Sequence, residues 1–354
     1  MEGVIKMSGA ITTQQALNLL VNGQHLSRSE SNAVMTNIMN GDATQAQIGA
    51  IAIALRMKGE TREEITGFAE VIRQFSCQVP TSNEGLMDTC GTGGSGIHKF
   101  NISTASSIIT AAAGIRVAKH GNRAVSGKTG SADVLEALGV NITLTPDQAA
   151  HCLAQIGICF MFAQQYHPSL KHVAGPRREL GIRTIFNMLG PLANPAPIDR
   201  QLLGIYDRSR TETIAEVLGE LGLKSVFVVS SHDGLDEISI SAPTQISELK
   251  NGVVKTYDIE PEDLGLKRYP IGDVIGGAPE DNAALIRSIF AGEQRGAYRD
   301  IVLANAGGCI YVGGLAASPR EGVEIAAEVI DSGKAFTKLN ELIQTTGELA
   351  HVSR

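Results

Sequence analysis

Apolar residues recur at helical spacing through the first eighty positions. Ala16, Leu19 and Leu20, then Val34 and Ile38, fall on the period that lines one face of a helix. Gln45–Lys58 continues the pattern, and Gly59 supplies a stop after it. Thr61 followed by Glu64 has the form of a capping box, opening a further helix through Phe75. Pro80 closes the stretch, and little strand signal interrupts it. Residues 1–81 are therefore expected to form a small helical domain.

The period changes after Ser82. Short apolar runs now alternate with helical segments. Strands are expected at Leu86–Cys90, Ile115–Ala118, Ile158–Phe162 and Leu223–Ser230, with helices at about Ser103–Ala113, Ala132–Leu138 and Thr211–Leu221. Thr145-Pro146-Asp147-Gln148 is a capping box with proline at the first helical position, and Gly157 ends that helix. Such alternation predicts an α/β domain with a central, mostly parallel sheet. Tyr166–Pro197 is rich in proline and poor in strand character, so about residues 167–195 are expected to complete the helical domain. Residues 82–166 and 196–354 then make the α/β domain.

Composition narrows the class. The chain has 354 residues, 43% hydrophobic and 19% charged, which suits a folded chain of roughly two domains. Thirty Lys and Arg against 37 Asp and Glu leave a formal charge of -7, which argues against nucleic-acid or membrane-surface partners. The charge is uneven. No acid occurs between Thr89 and Ala132, and residues 89–198 hold nine cations against four acids, a net of +5 within an otherwise acidic chain. A cationic middle suggests a site for small anions. The five cysteines form an odd set without a CxxC pair, so reduced thiols are expected. The start, MEGVIKMSGA, lacks the apolar run of a signal peptide, and no stretch approaches a membrane span. Both point to the cytoplasm.

Five motifs could carry chemistry. Gly91-Thr92-Gly93-Gly94-Ser95-Gly96 lies between a strand and a helix and satisfies GxGxxG. A dinucleotide fold also needs an acid about 20 residues on, and here that position falls in the acid-free stretch. What survives is a glycine turn that lets backbone approach an anion at a helix N-terminus. Asn101-Ile102-Ser103-Thr104 follows, with more hydrogen-bonding side chains than one helix cap uses. Lys119 through Ser131 gathers three cations and three glycines. Its Gly127-Lys128-Thr129 resembles a P-loop end, but Asn122 stands where the first glycine belongs, which excludes a nucleotide triphosphatase. Asp236-Glu237 follows Gly234 in a loop, and oxygen ligands of this kind suit Mg²⁺ facing phosphates, with an ordinary acidic turn as the competing reading. Finally, Pro176-Arg177-Arg178 offers guanidinium groups that match a carboxylate in two-pronged fashion.

In this order the motifs resemble the anthranilate phosphoribosyltransferase family, from the second step of tryptophan biosynthesis. The matching text is Asp88 through Gly94, Asn101 through Thr104, Lys119 through Asp133, Arg177–Pro195 and Gly234 through Glu237, and the likeness spans nearly the whole chain. The resemblance implies a nucleoside-phosphorylase-like fold, a homodimer through the helical domain and a site between the domains. It implies transfer of the phosphoribosyl group of 5-phosphoribosyl 1-pyrophosphate (PRPP) to anthranilate, releasing pyrophosphate. By position, Gly91, Thr92, Gly94, Ser95, Lys99, Asn101, Ser103, Thr104, Lys119 and Ser131 would hold PRPP. Gly91, His120, Asn122 and Arg177 would face anthranilate, and Ser103, Asp236 and Glu237 would hold Mg²⁺. No general base is required, because an aromatic amine is already neutral at pH 7. The family usually has Asp where this chain has Ser95, and Thr or Ser where it has Lys99, so a stronger grip on PRPP by Lys99 is expected. The alternatives are a pyrimidine nucleoside phosphorylase of the same fold and a non-enzymatic nucleic-acid-binding paralog. The intact KHGNR and Asp-Glu motifs and the acidic total argue against the second.

Overall fold

The structure is a computed structural model that describes residues 11–93, 96–124 and 129–351. Two compact units divide the chain. One takes the residues through Ser76 together with His167–Ala193, and the other takes Cys77–Tyr166 and the chain from Asn194.

The helical unit opens with four helices, Thr13–Val21, Arg28–Asn40, Gln45–Lys58 and Arg62–Gln74. Each starts with a reciprocal capping box, set by Thr12 with Gln15, Ser27 with Glu30, Thr44 with Gln47 and Thr61 with Glu64. The box satisfies amide N–H groups that a helix start would otherwise leave unpaired. Ala16, Leu20, Val34, Ile38, Ile48, Leu55, Ile65 and Phe68 form the core. The later segment returns as two helices, Lys171–Leu180 and Ile185–Leu192, that tolerate Pro176 and Pro191 within them. Gln45 Nε2 donates to the His172 carbonyl at 3.2 Å, and Arg73 Nε to that of Leu192 at 2.6 Å.

Among the described residues of the second unit, seven strands form one sheet. They are β1 (Leu86–Gly91), β2 (Arg116–Gly121), β3 (Ile158–Phe162), β4 (Arg200–Gly204), β5 (Ser225–Ser231), β6 (Thr244–Lys250) and β7 (Val253–Ile259). Their order is β3-β2-β1-β4-β5-β6-β7. The first five run parallel, and β6 and β7 add an antiparallel hairpin at the edge. The mostly parallel sheet is thus as expected, and β4 and the hairpin are strands beyond those expected from the sequence. Helices Ile102–Ala112, Ala297–Val312, Pro319–Asp331 and Lys334–His351 also belong to this unit. Strand order reverses between β1 and β4, and at such a switch the loops leaving the carboxyl ends part to make a crevice.

Candidate active site

The candidate loops leave one edge of the sheet because their strands end in register. Gly91 at the end of β1 pairs with Gly204 at the end of β4, and Gly121 ends β2 opposite Phe162 of β3. Beyond β5, the chain turns at Gly234 with φ of 89°, which favours glycine. Asp233 pins this turn by accepting from the Leu235 amide at 3.1 Å and the Ser239 hydroxyl at 2.7 Å. Asp236 and Glu237 follow, 1% and 3% exposed.

Asp236 lies directly against the glycine turn. Its Oδ2 accepts the Gly93 amide at 2.9 Å, and the Thr92 amide donates to the Gly204 carbonyl at 2.9 Å. A Cβ on Gly91 would sit 2.8 Å from Asp236 Oδ2, and one on Gly204 would sit 1.9 Å from the Asp236 carbonyl oxygen. The glycines therefore serve the approach of Asp236, and the Thr92 and Gly93 amides are engaged within the protein. Of the turn's amides, these two are therefore not open to an anion. Gly94 and Ser95 lie outside the described residues.

Lys99 meets both carboxylates. Its Nζ donates to Asp236 Oδ1 at 2.7 Å and to Glu237 Oε1 at 2.8 Å, and reaches the Asp236 carbonyl at 3.2 Å. Burial works to lower the Lys99 pKa, but the charges of Asp236 and Glu237 outweigh it and the net shift is upward. Burial, helped by the Asp236 charge, raises the Glu237 pKa, while Lys99 pulls it down. Among the described residues no group of three or more His, Cys, Asp or Glu is set to hold a metal ion. The donor oxygens of Asp236 and Glu237 have the chemistry Mg²⁺ prefers. As placed, Asp236 Oδ1 and Glu237 Oε1 accept from the Lys99 ammonium and Asp236 Oδ2 from the Gly93 amide, so a metal ion would have to displace Lys99 to meet both carboxylates. Ser103, the third expected ligand, accepts from Lys119 Nζ at 3.3 Å.

Lys119 is only 2% exposed, and its Nζ also donates to the Thr89 carbonyl at 2.6 Å. The hydroxyls of Thr92 and Thr104 are buried and meet no hydrogen-bond partner among the described residues. Buried hydroxyls left unpaired are costly unless a bound group completes them. Asn101 caps the helix at Ile102 without a side-chain cap bond. Its amide instead donates to the Thr129 carbonyl at 3.2 Å and its oxygen accepts from Asn282 at 3.0 Å. The Asn101 side chain thus tethers the Thr129 loop to Asn282 and makes no cap bond.

The Lys119–Ser131 loop is shaped by acids from the helix that follows it. Asp133 accepts the Ala124 and Gly130 amides at 3.0 and 2.8 Å, and Arg123 pairs with Asp133 and Glu136. Ser131 donates to the Asn122 carbonyl at 3.3 Å, while the Asn122 side chain takes the Arg123 amide at 2.8 Å. His120 is buried, its amide donating to Asp88 Oδ1 at 3.2 Å. Residues 125–128, with Lys128, lie outside the described residues. Arg177 belongs to the helical unit, in the last turn of its helix Lys171–Leu180. Burial lowers its pKa, and no described carboxylate pairs with it.

Two residues that sequence reasoning missed complete the frame. Asn305 accepts the Ile238 amide and donates to the Ile238 carbonyl, both at 2.9 Å, which fixes the chain beside Glu237. An asparagine inside an apolar helix was its signal. Asn194 donates to the Ala118 carbonyl at 2.9 Å and steadies β2 just before Lys119.

Comparison with known proteins adds the following. Residues 83–336 match the glycosyl transferase family a/b domain, and residues 14–76 its helical bundle domain. The chain is 50% identical over 338 residues to anthranilate phosphoribosyltransferase of Brevibacillus brevis, covering 96% of this chain and 99% of that one. It is 51% identical over 336 residues to the protein of the same name from Alkaliphilus metalliredigens, covering 95% and 99%. The crystal structure of the Thermus thermophilus anthranilate phosphoribosyltransferase superposes with a TM-score of 0.89 at 38% identity, over 94% of this chain and 99% of that one. The Saccharomyces cerevisiae enzyme in complex with PRPP and Mg shares the fold, with a TM-score of 0.86 at 24% identity over 95% and 98%.

Proposed function

Since the chain belongs to the anthranilate phosphoribosyltransferases of the glycosyl transferase family, we infer that it joins the phosphoribosyl group of PRPP to the amine of anthranilate and releases pyrophosphate. One observation carries this reading down to the residues. At the carboxyl ends of parallel strands, the buried cation Lys119 and the unpartnered hydroxyls of Thr92 and Thr104 lie beside a glycine turn. Such a set suits phosphate oxygens, which accept several hydrogen bonds and carry charge.

In our reading PRPP is held by Gly91, Thr92, Asn101, Ser103, Thr104, Lys119 and Ser131, with Gly94 and Ser95 adding to the same turn, while Lys99, also expected to hold PRPP, is engaged by Asp236 and Glu237 in the absence of substrate. His120, Asn122 and Arg177 serve the anthranilate side. As the bond from C1′ to pyrophosphate lengthens, positive charge grows on the ribose and negative charge on the leaving group. Lys119 and the hydroxyls stand ready to steady the latter without reorganising. The amine attacks C1′ as a neutral nucleophile and loses its proton afterwards, so no residue is assigned as general base. Most of the rate then comes from placing two anionic substrates together. We count Mg²⁺ as the companion of the pyrophosphate substrate, which it would partly neutralise, and route no step through the acidic pair.

We also read a second copy of the chain as a partner. Val21 and Met57 stand 64% and 83% exposed on the helical unit. Sedimentation should then give twice the mass of a 37.3 kDa chain. Among the described residues no helix is long and apolar enough to cross a membrane.

The reaction is tested by the loss of anthranilate fluorescence on adding PRPP and Mg²⁺. The chain has no tryptophan, so its own emission interferes little. Turnover of nucleoside with phosphate, and none with PRPP and anthranilate, would overturn the reading.

A further inference from the structure

The backbone around Lys99 is held on a short ladder. Lys99 pairs with Ile275 in an antiparallel bridge, the Phe100 amide donates to the Val274 carbonyl at 3.4 Å, and the Gly276 amide to that of His98 at 2.7 Å. Phe100 is 1% exposed and packs edge-on against Tyr298, with ring centroids 5.4 Å apart. The Tyr298 hydroxyl donates to the Ile275 carbonyl at 2.8 Å and ties the ladder to its helix. Neighbouring side chains of extended backbone point to opposite faces. With Phe100 committed to the core, Lys99 is aimed at the acidic pair.

The three N–H bonds of its ammonium meet three acceptors, Asp236 Oδ1, Glu237 Oε1 and the Asp236 carbonyl. The remaining Asp236 oxygen takes the Gly93 amide. Two adjacent, buried carboxylates thus share one cation, and that cation is part of the chain.

We propose that Lys99 is a built-in cation in the position shared by Asp236 and Glu237, and that it competes with divalent metal ions for that position. A divalent ion on both carboxylates requires the ammonium to leave, because two cations within about 4 Å repel strongly where water is scarce. The substrate-free protein therefore binds divalent ions weakly at the pair and needs none to keep the pair folded. The proposal rests on the phosphoribosyl-transfer reading only in expecting a divalent ion to reach the site with PRPP.

Mn²⁺ titration of the substrate-free protein tests it, with free Mn²⁺ counted by its paramagnetic resonance signal. Lys99→Met should bind Mn²⁺ about tenfold or more tightly than the parent chain, since it unmasks two buried carboxylates. Without metal its melting temperature should fall below that of the parent, and Mn²⁺ should restore it while leaving the parent unmoved. Adding Asp236→Asn to Lys99→Met should abolish the gain. Equal Mn²⁺ affinity in the parent and Lys99→Met overturns the proposal, and so does a gain that survives Asp236→Asn. If Lys99→Met fails to fold, Lys99→Gln keeps a donor without the charge and faces the same two outcomes. A parent chain inactive with PRPP and anthranilate would remove the proposed reaction and leave the Mn²⁺ comparison standing, as no substrate is present in it.

Discussion

Single atoms set the tolerance of this site, and Gly204 shows the limit. A methyl group there would press within 1.9 Å of the Asp236 carbonyl oxygen, which is backbone and cannot swing aside. Gly204 is required for space, since its φ is not among the positive values of the chain. Gly204→Ala should push the Asp236 backbone out of place, costing about 1–3 kcal/mol of stability and roughly 100-fold in turnover. Urea unfolding and initial rates check both, and a variant with parental turnover would show that the loop yields. Gly91→Ala meets the end of the Asp236 side chain instead, so it should be milder on both counts. Arg177 makes the opposite case, a guanidinium that no described carboxylate neutralises and whose burial disfavours its charge. In the proposed reading, a substrate carboxylate would answer that need bidentately. Arg177→Ala should raise the KM for anthranilate by about 10- to 100-fold while sparing PRPP. Equal losses for both substrates would refute its role.

Elements were legible where their determinants were local. The capping boxes at Thr61 and Thr145 lie within four consecutive residues, and both form as the sequence predicts. Strands β3 and β5 are apolar runs buried over most of their length, so they stand out as strands, and β1 is buried although Asp88 and Thr89 interrupt it. The hairpin of β6 and β7 is harder. β7 is mostly exposed and shows little apolar contrast, and its one clear mark is the Asn251-Gly252 turn, with φ of 54° and 75°. The candidate site divides in the same way. Glycine turns and charge clusters announce themselves along the chain, whereas Lys99 meets Asp236 across 137 positions and no local pattern encodes that meeting. Glu64 shows how a local motif can hide a distant role. Beyond its box with Thr61, it accepts the Leu26 amide and the buried Lys58 ammonium, both at 2.9 Å, and so joins three segments. Thr61→Ala removes one cap and should cost about 1 kcal/mol. Glu64→Ala strands a buried lysine and should cost about 3–5 kcal/mol. Equal costs in urea unfolding would mean that the network adds nothing to the cap.

At the scale of the whole molecule, the charge map changes meaning once folded. The cationic middle is not an open field. Arg123 is paired with Asp133 and Glu136, Lys99 with Asp236 and Glu237, and Lys119 is buried. Two of those acids, Asp236 and Glu237, come from the acidic remainder of the chain, far along the sequence, and lower the local excess from +5 to +3, whereas Asp133 and Glu136 are already counted in it. Stability against pH is then governed by a few buried groups. His167, 4% exposed, has its pKa lowered to about 4 by burial, with a backbone hydrogen bond to Ala193 opposing. Its ordinary value is 6.5, so below that pH the unfolded chain binds a proton that the folded chain refuses. The folded state therefore loses about 1.4 kcal/mol per pH unit from this group as pH falls from 6.5 towards 4, and nothing further below that. Asp88 and Glu237 work against this trend, because their raised pKa values let the folded chain take up protons first. The difference between the parent and His167→Gln isolates the histidine, since the carboxylates are common to both. Urea unfolding at intervals from pH 7 down to pH 5 should show the two stabilities converging on a slope that approaches that value, with the variant the less pH-sensitive. Parallel curves would mean that His167 is protonated as readily in the folded chain as in the unfolded one, and that its burial has no hold on acid stability.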